Sequence, residues 1–325
     1  MIRTPICDLL NIEYPIALGG LGGGYTQPSM VAMVSDAGGF GALGSHGMSA
    51  SRVREAASEI RKQTSKPFAL NFLLFLIDEE VFSAGLAEKP AAIAFAWPRG
   101  DQDLRPYIDR AHEAGCKVTF MAGSVREAVR AVEAGADVII AQGTEGGGHV
   151  SWMASIVLTP LVVDAVAPVP VLAAGGFADG RGLVAAIALG ADGILMGTRF
   201  LASSESQLHA NFKQAIIESD GHDTVLTEIP DLAAGVVWPG AMSRAKRNTF
   251  IERWMGREWA LRQHQGEAMK SIVAARKTGD REEAPLSFGQ DAGLINTIVP
   301  AGDIVRSIVK EAEEIMRNRL PGLTD

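Results

Sequence analysis

The chain has 325 residues, of which 47% are hydrophobic and 21% charged, with a formal net charge of −8. That is the balance of a globular protein with a large core, and it argues against general attraction to nucleic acid or anionic membrane. The two cysteines, Cys7 and Cys116, have no CxxC spacing and no clustered histidines. This speaks against a zinc site or a disulfide scaffold and fits a reducing cytoplasm.

The N-terminal stretch MIRTPICDLLNIEYP carries acids and a proline and lacks a signal-peptide core. Eight short apolar runs follow: YPIAL (14–18), FGALG (40–44), PFALNFL (67–73), AAIAFAW (91–97), KVTFM (117–121), DVIIAQ (137–142), PVLAA (170–174) and GILMG (193–197). Near-continuous apolar character is expected of parallel strands covered on both faces. The most apolar stretch, FALNFLLFLI (68–77), is too short to span a bilayer, so a soluble protein is expected.

Ala-Gly at 37–38, 114–115 and 134–135 and Leu-Gly at 189–190 each precede a strand, where glycine suits the left-handed turn ending a helix. GADVII (135–140) and GADGIL (190–195) repeat one module, and REAVRAVEAG and RGLVAAIALG carry helical spacing between strands. Eight strands with intervening helices predict a (β/α)8 barrel. An open Rossmann-type sheet is the alternative, weakened because GGLGGG (19–24) leads into YTQPSM and not directly into a helix.

Beyond residue 200 the alternation stops. The pattern divides into a barrel over 1–200, an inserted helical cap over 201–275, and a segment over 276–325 returning to the barrel. The final helix, GDIVRSIVKEAEEIMRN (302–318), completes it.

In a barrel the site lies at the C-terminal ends of the strands. There the sequence places GGLGGG (19–24), GSHG (44–47), GTEGGGH (143–149), GGFADG (175–180) and GTRF (197–200). Gly175-Gly176 and Gly197-Thr198 follow the seventh and eighth runs, where this fold commonly holds phosphate. Each pair alone reads as turn chemistry; two pairs at the two expected places favour a phosphate-bearing ligand. Arg199 either helps neutralise that ligand or pairs with a helix carboxylate. Asn71 and Gln142 are polar residues in apolar strands, and each either bonds a neighbouring loop or meets a heteroaromatic ring at the barrel mouth. His149, after three glycines at a strand end, is the candidate proton acceptor, with His46 the weaker second. Glu145 either orients a neighbour or faces water. No HExxH, clustered carboxylates or GxSxG appear, so metal hydrolysis and serine catalysis fit poorly and no metal is expected.

AQGTEGGGH (141–149), VLAAGGFADG (171–180), ADGILMGTRFLAS (191–203), HANFKQAIIESDGHDTVLT (209–227) and FGQDAGLI (288–295) together resemble the nitronate monooxygenase family, formerly 2-nitropropane dioxygenases. That family shares its FMN barrel with the flavin-dependent enoyl-ACP reductases. The resemblance covers most of the chain and implies FMN at the strand ends. Gly20, Asn71, Gln142, Gly147 and Gly148 would approach the ring or ribityl chain. Gly175, Gly176, Met196, Gly197 and Thr198 would hold the phosphate end. Gln290 would reach in from the C-terminal segment, and His149 matches the family's catalytic histidine. Two departures stand out: Glu-Gly-Gly-Gly-His in place of the usual Glu-Ala-Gly-Gly-His, and Leu18-Gly19-Gly20-Leu21 where many nitronate enzymes read like QAPM.

The implied activity is FMN-dependent oxidation of alkyl nitronates, extending to nitroalkanes, with O₂. The alternatives are an NAD(P)H-dependent FMN reductase of an enoyl thioester or quinone, and a non-catalytic FMN-binding barrel. Small molecules, not nucleic acid or membrane, are the expected partners, and a homodimer is expected only from how common two-fold symmetry is. Trp97, Trp152 and Trp238 are either substrate wall or core.

Overall fold

The architecture is that of a computed structural model, which describes residues 2–323. Nine strands precede the cap: β1 (Ile16–Leu18), β2 (Gly41–Gly44), β3 (Phe68–Leu73), β4 (Ala92–Ala96), β5 (Lys117–Ala122), β6 (Val138–Gln142), β7 (Gly148–Val150), β8 (Val171–Ala174) and β9 (Gly193–Met196). All but β7 form one parallel sheet in the order β1-β9-β8-β6-β5-β4-β3-β2. The sheet closes on itself: Leu18 donates its N–H to the Phe40 carbonyl at 2.9 Å, and Phe40 donates to Ile16 at 2.8 Å. This is the (β/α)8 barrel, and its eight strands fall on the eight apolar runs.

Helices between the strands begin where side-chain oxygens can take the orphan N–H groups of a first turn. Ser49, Asp78, Ser124 and Asp179 do so for the helices Ala50–Gln63, Glu79–Ala87, Val125–Glu133 and Gly180–Ala188. Gly38, Gly115, Gly135 and Gly190 all take positive φ, between 82° and 107°, as their place before a strand required.

Two apolar layers hold the barrel. The outer one packs strand residues such as Leu18, Leu70, Phe95 and Ile194 against helix residues such as Val34, Ala57, Leu183 and Ile308. The inner one is unusual at its base, where Ile6, Cys7 and Leu10 of an N-terminal helix (Pro5–Leu10) cluster with Ala17, Ala69, Val138 and Leu172. Alanines dominate the lumen, so the helix plugs one end and space remains at the other. The last helix, Ala301–Glu314, packs on the helices Pro28–Asp36 and Gly180–Ala188.

Past β9 the chain carries strands as well as the helices expected of the cap. Helices Ala210–Ile217, Ile229–Ala234, Thr249–Trp254, Glu258–Gln263 and Gln265–Thr278 are joined by β10 (Thr224–Thr227) and β11 (Met242–Lys246). These two strands pair antiparallel, and β11 pairs in turn with β7. The region has its own core of Ile229, Phe250, Ile251, Leu261 and Ile272. Among the described residues, no helix is long and apolar enough to cross a membrane, and no group of three or more His, Cys, Asp or Glu could hold a metal.

Candidate active site

A cavity of about 390 Å³ occupies the barrel mouth at the C-terminal strand ends. Its volume falls in the usual range of small-molecule sites, roughly 300–1,000 Å³. Gly20, Asn71, Gln142, Gly147, Gly148, His149, Gly175, Gly176, Met196, Gly197 and Thr198 all line it, and His46 stands on its rim. Gln290 does not. It is exposed and lines a second cavity of about 270 Å³, while its neighbour Asp291 borders both spaces.

The glycines serve different ends. A Cβ on Gly20 would sit 2.5 Å from the Asn71 Cβ, so the Gly-Gly-Leu that follows the first strand lets Asn71 occupy that place. A Cβ on Gly147 would meet the Phe288–Gly289 backbone at 2.5 Å, so this glycine admits the C-terminal segment and not, by its lack of a side chain, a ligand. Gly148, at φ 72°, faces open space within the cavity wall. Gly175 and Gly176, at φ 91° and 84°, turn the chain sharply after β8, and a Cβ on Gly175 would strike the Gly143 carbonyl at 2.6 Å. The Gly176 N–H donates to no protein acceptor among the described residues. It lines the same cavity as the Gly197-Thr198 turn, where bare N–H groups can meet an anion.

Polar side chains complete the wall. Asn71 donates through Nδ2 to the Ala94 carbonyl at 3.1 Å. The buried Gln142 Oε1 has no partner among the described residues. An orphaned acceptor against a cavity is what a ligand N–H would satisfy. The Thr198 hydroxyl accepts from the Gly289 N–H at 3.0 Å, and its backbone N–H donates to no acceptor among the described residues. Burial pushes the Asp291 carboxyl up from 3.8 to about 7, although the Thr198 hydrogen bond pulls the other way. Its Oδ1 has no partner among the described residues. The orphaned Gln142 amide oxygen and the bare N–H groups of Gly176 and Thr198 beside it fit a flavin with a phosphate tail.

His149 sits on β7, so the loop after β6 ends in a strand held by the cap, with His149 paired to Ser243 of β11. Its Nε2 is 2.9 Å from Asp231 Oδ1, a carboxylate carried by the cap helix Ile229–Ala234. Trp238 stacks on the imidazole with ring centroids 3.3 Å apart and planes within 12°. Trp97 and Trp238 line the cavity, whereas Trp152 is 65% exposed and stands outside it. Glu145 takes hydrogen bonds from the N–H and hydroxyl of Ser155, anchoring the start of the helix Ser155–Val166. Arg199 is buried and donates to the Thr297 carbonyl, away from the cavity lining.

Two of these residues, Asp231 and Asp291, carry too little in the sequence to be singled out there. Asp231 lies 82 residues from His149 with no local signal. Asp291 does have one, as a lone acid inside the small and apolar FGQDAGLI.

The nitronate monooxygenase family model matches residues 3–95 and 78–311. A probable nitronate monooxygenase of Staphylococcus aureus (strain MSSA476) is 32% identical over 97% of this chain and 99% of its own length. The solved structure of FabK from Thermotoga maritima superposes with a TM-score of 0.88 at 36% identity, covering 99% of this chain and 100% of that one. A nitroalkane oxidase from Streptomyces ansochromogenes gives a TM-score of 0.82 at 26% identity, covering 96% and 98%. The chain therefore belongs to the nitronate monooxygenase family and is an oxidoreductase of the flavin-dependent kind.

Proposed function

We propose that the barrel mouth binds FMN and that the enzyme oxidises alkyl nitronates with O₂. Two nitronate anions and one O₂ would give two carbonyl compounds and two nitrite ions. The flavin, when bound, supplies the redox exchange. Gly175, Gly176, Gly197 and Thr198 would hold its phosphate, with Met196 beside them. Gly20, Asn71, Gln142, Gly147 and Gly148 would border the ring and ribityl chain.

The single observation that carries this reading, and extends it to neutral nitroalkanes, is His149 in the cavity wall with Nδ1 engaged by no other described residue. A nitronate is already an anion and needs no base. A neutral nitroalkane must first lose its α-proton; Nδ1 would take that proton while the C–H electron pair moves into the C=N bond of the nitronate. Trp97, Trp238 and Met121 give the cavity an apolar side for an alkyl group.

The test is oxygen uptake by FMN-loaded protein, confirmed by its visible spectrum, given an alkyl nitronate without NADH or NADPH. Fast, saturable uptake supports the proposal, and none overturns it. In that case an NAD(P)H-dependent reductase takes its place. The Gly19-Gly20-Leu21 segment and the higher identity to FabK than to the nitroalkane oxidase favour that second reading. Rapid bleaching of bound flavin by NADH or NADPH would establish it.

A further inference from the structure

The His149 imidazole is held by groups that the barrel does not supply. Asp231 comes from the cap and meets Nε2 at 2.9 Å, with side chains only 19% and 13% exposed. No other side-chain partner of Asp231 occurs among the described residues, so its carboxylate is aimed at one ring nitrogen. An ionised carboxylate can only accept a hydrogen bond. Nε2 must then carry the proton, which leaves the lone pair on Nδ1, the nitrogen without a partner among the described residues. Trp238, in the loop that follows the Asp231 helix, covers one face of the ring and packs on Phe75 at 4.7 Å. The ring is thus fixed in tautomer, tilt and depth by the segment 231–238.

We infer that Asp231 is the positioning residue of the catalytic base: it selects the Nε2–H tautomer of His149, so that Nδ1 accepts the substrate proton. The inference rests on the reading of His149 as the base. As the proton arrives on Nδ1, the ring becomes a cation. It is then stabilised by the charge-assisted bond to Asp231 and by the Trp238 face. The proton count balances: the substrate loses one to Nδ1, and the Nε2 proton stays on the ring. The competing role for Asp231 is a tie that fastens the cap to β7, indifferent to tautomer.

Ring-nitrogen NMR on ¹⁵N-histidine-labelled protein tests the tautomer without any turnover, with His149→Asn identifying the signal, and kinetics separates the two roles. The expected result is an Nε2–H, Nδ1-lone-pair imidazole in the native protein, shifting toward the other tautomer in Asp231→Asn, whose amide can donate to Nε2. A native Nδ1–H tautomer, or an unaltered one in Asp231→Asn, overturns the inference. In kinetics, the ratio of neutral nitroalkane turnover to turnover of its pre-formed anion should fall at least ~100-fold in Asp231→Asn, the scale of general-base assistance, through kcat more than KM. Asp231→Glu should recover part of it. A merely structural tie would lower both substrates together. Should native protein turn over neither substrate, the proposed function fails while the NMR result still decides whether Asp231 selects the His149 tautomer. Should Asp231→Asn not fold, Asp231→Glu carries the kinetic test: a nitroalkane-to-nitronate ratio lowered through kcat supports the inference, and a ratio equal to the native one overturns it.

Discussion

At the scale of single residues, the site is a set of polar groups each given one free bond. His149 spends Nε2 on Asp231, Asn71 spends Nδ2 on Ala94, and Thr198 spends its hydroxyl on the 289–291 segment. His149→Ala should keep bound FMN but lower nitroalkane oxidation by roughly 10²–10⁴ relative to nitronate oxidation, measured as oxygen uptake with each. Equal nitroalkane activity in the variant would remove His149 from the base role. Asp291 makes a prediction about pH. Its folded-state value is raised from 3.8 to about 7, so the folded protein holds a proton that the unfolded chain releases. The acid therefore favours the fold fully at low pH, and that contribution is lost as pH climbs through 7, on the order of 4 kcal/mol in all. Asp291→Asn should flatten the fall in Tm of flavin-free protein between about pH 4 and 8, and an unchanged slope would refute it. Gly147→Ala and Gly148→Ala should also part company. The first pushes on the Phe288–Gly289 backbone, while the second meets open space and costs only the strain of φ 72°, on the order of 1 kcal/mol. Tm measurements should rank Gly147→Ala well below Gly148→Ala.

At the scale of elements, the three-residue strand β7 couples two parts of the chain. It leaves the barrel after β6 and ends as an edge of the cap sheet, and it carries His149 between them. Along the sequence this stretch reads as a glycine-rich loop, because three residues offer no period to read and their partner, β11, lies about ninety positions away. The cap's strands are not legible along the chain, for the same reason of non-local pairing. Phe250 is fully buried in the cap's own core. Phe250→Ala should cost about 3–5 kcal/mol locally. Faster hydrogen exchange across 224–278 and in 148–150, with the barrel strands still protected, is the expected pattern; uniform loss of protection would show that cap and barrel unfold as one.

At the scale of the whole molecule, the barrel's closure, its alanine-lined lumen and its N-terminal plug decide where a ligand can sit. Ile6 is fully buried at the closed end, and Ile6→Ala should lower stability by about 2–5 kcal/mol with little change at the mouth, read as a lower Tm with unaltered flavin affinity. The strand count, the left-handed glycine turns before strands and the gathering of unusual residues at strand ends are all written in the chain itself. These are signals of local conformation and of burial on both faces, which period and composition carry directly. Folding had to supply the rest: Gln290 turned away while Asp291 borders the cavity, Gly147 yielding to backbone, and a cap carboxylate gripping His149. Those facts depend on which distant segments come to lie within a few ångströms of each other, and no local pattern along the chain encodes that distance.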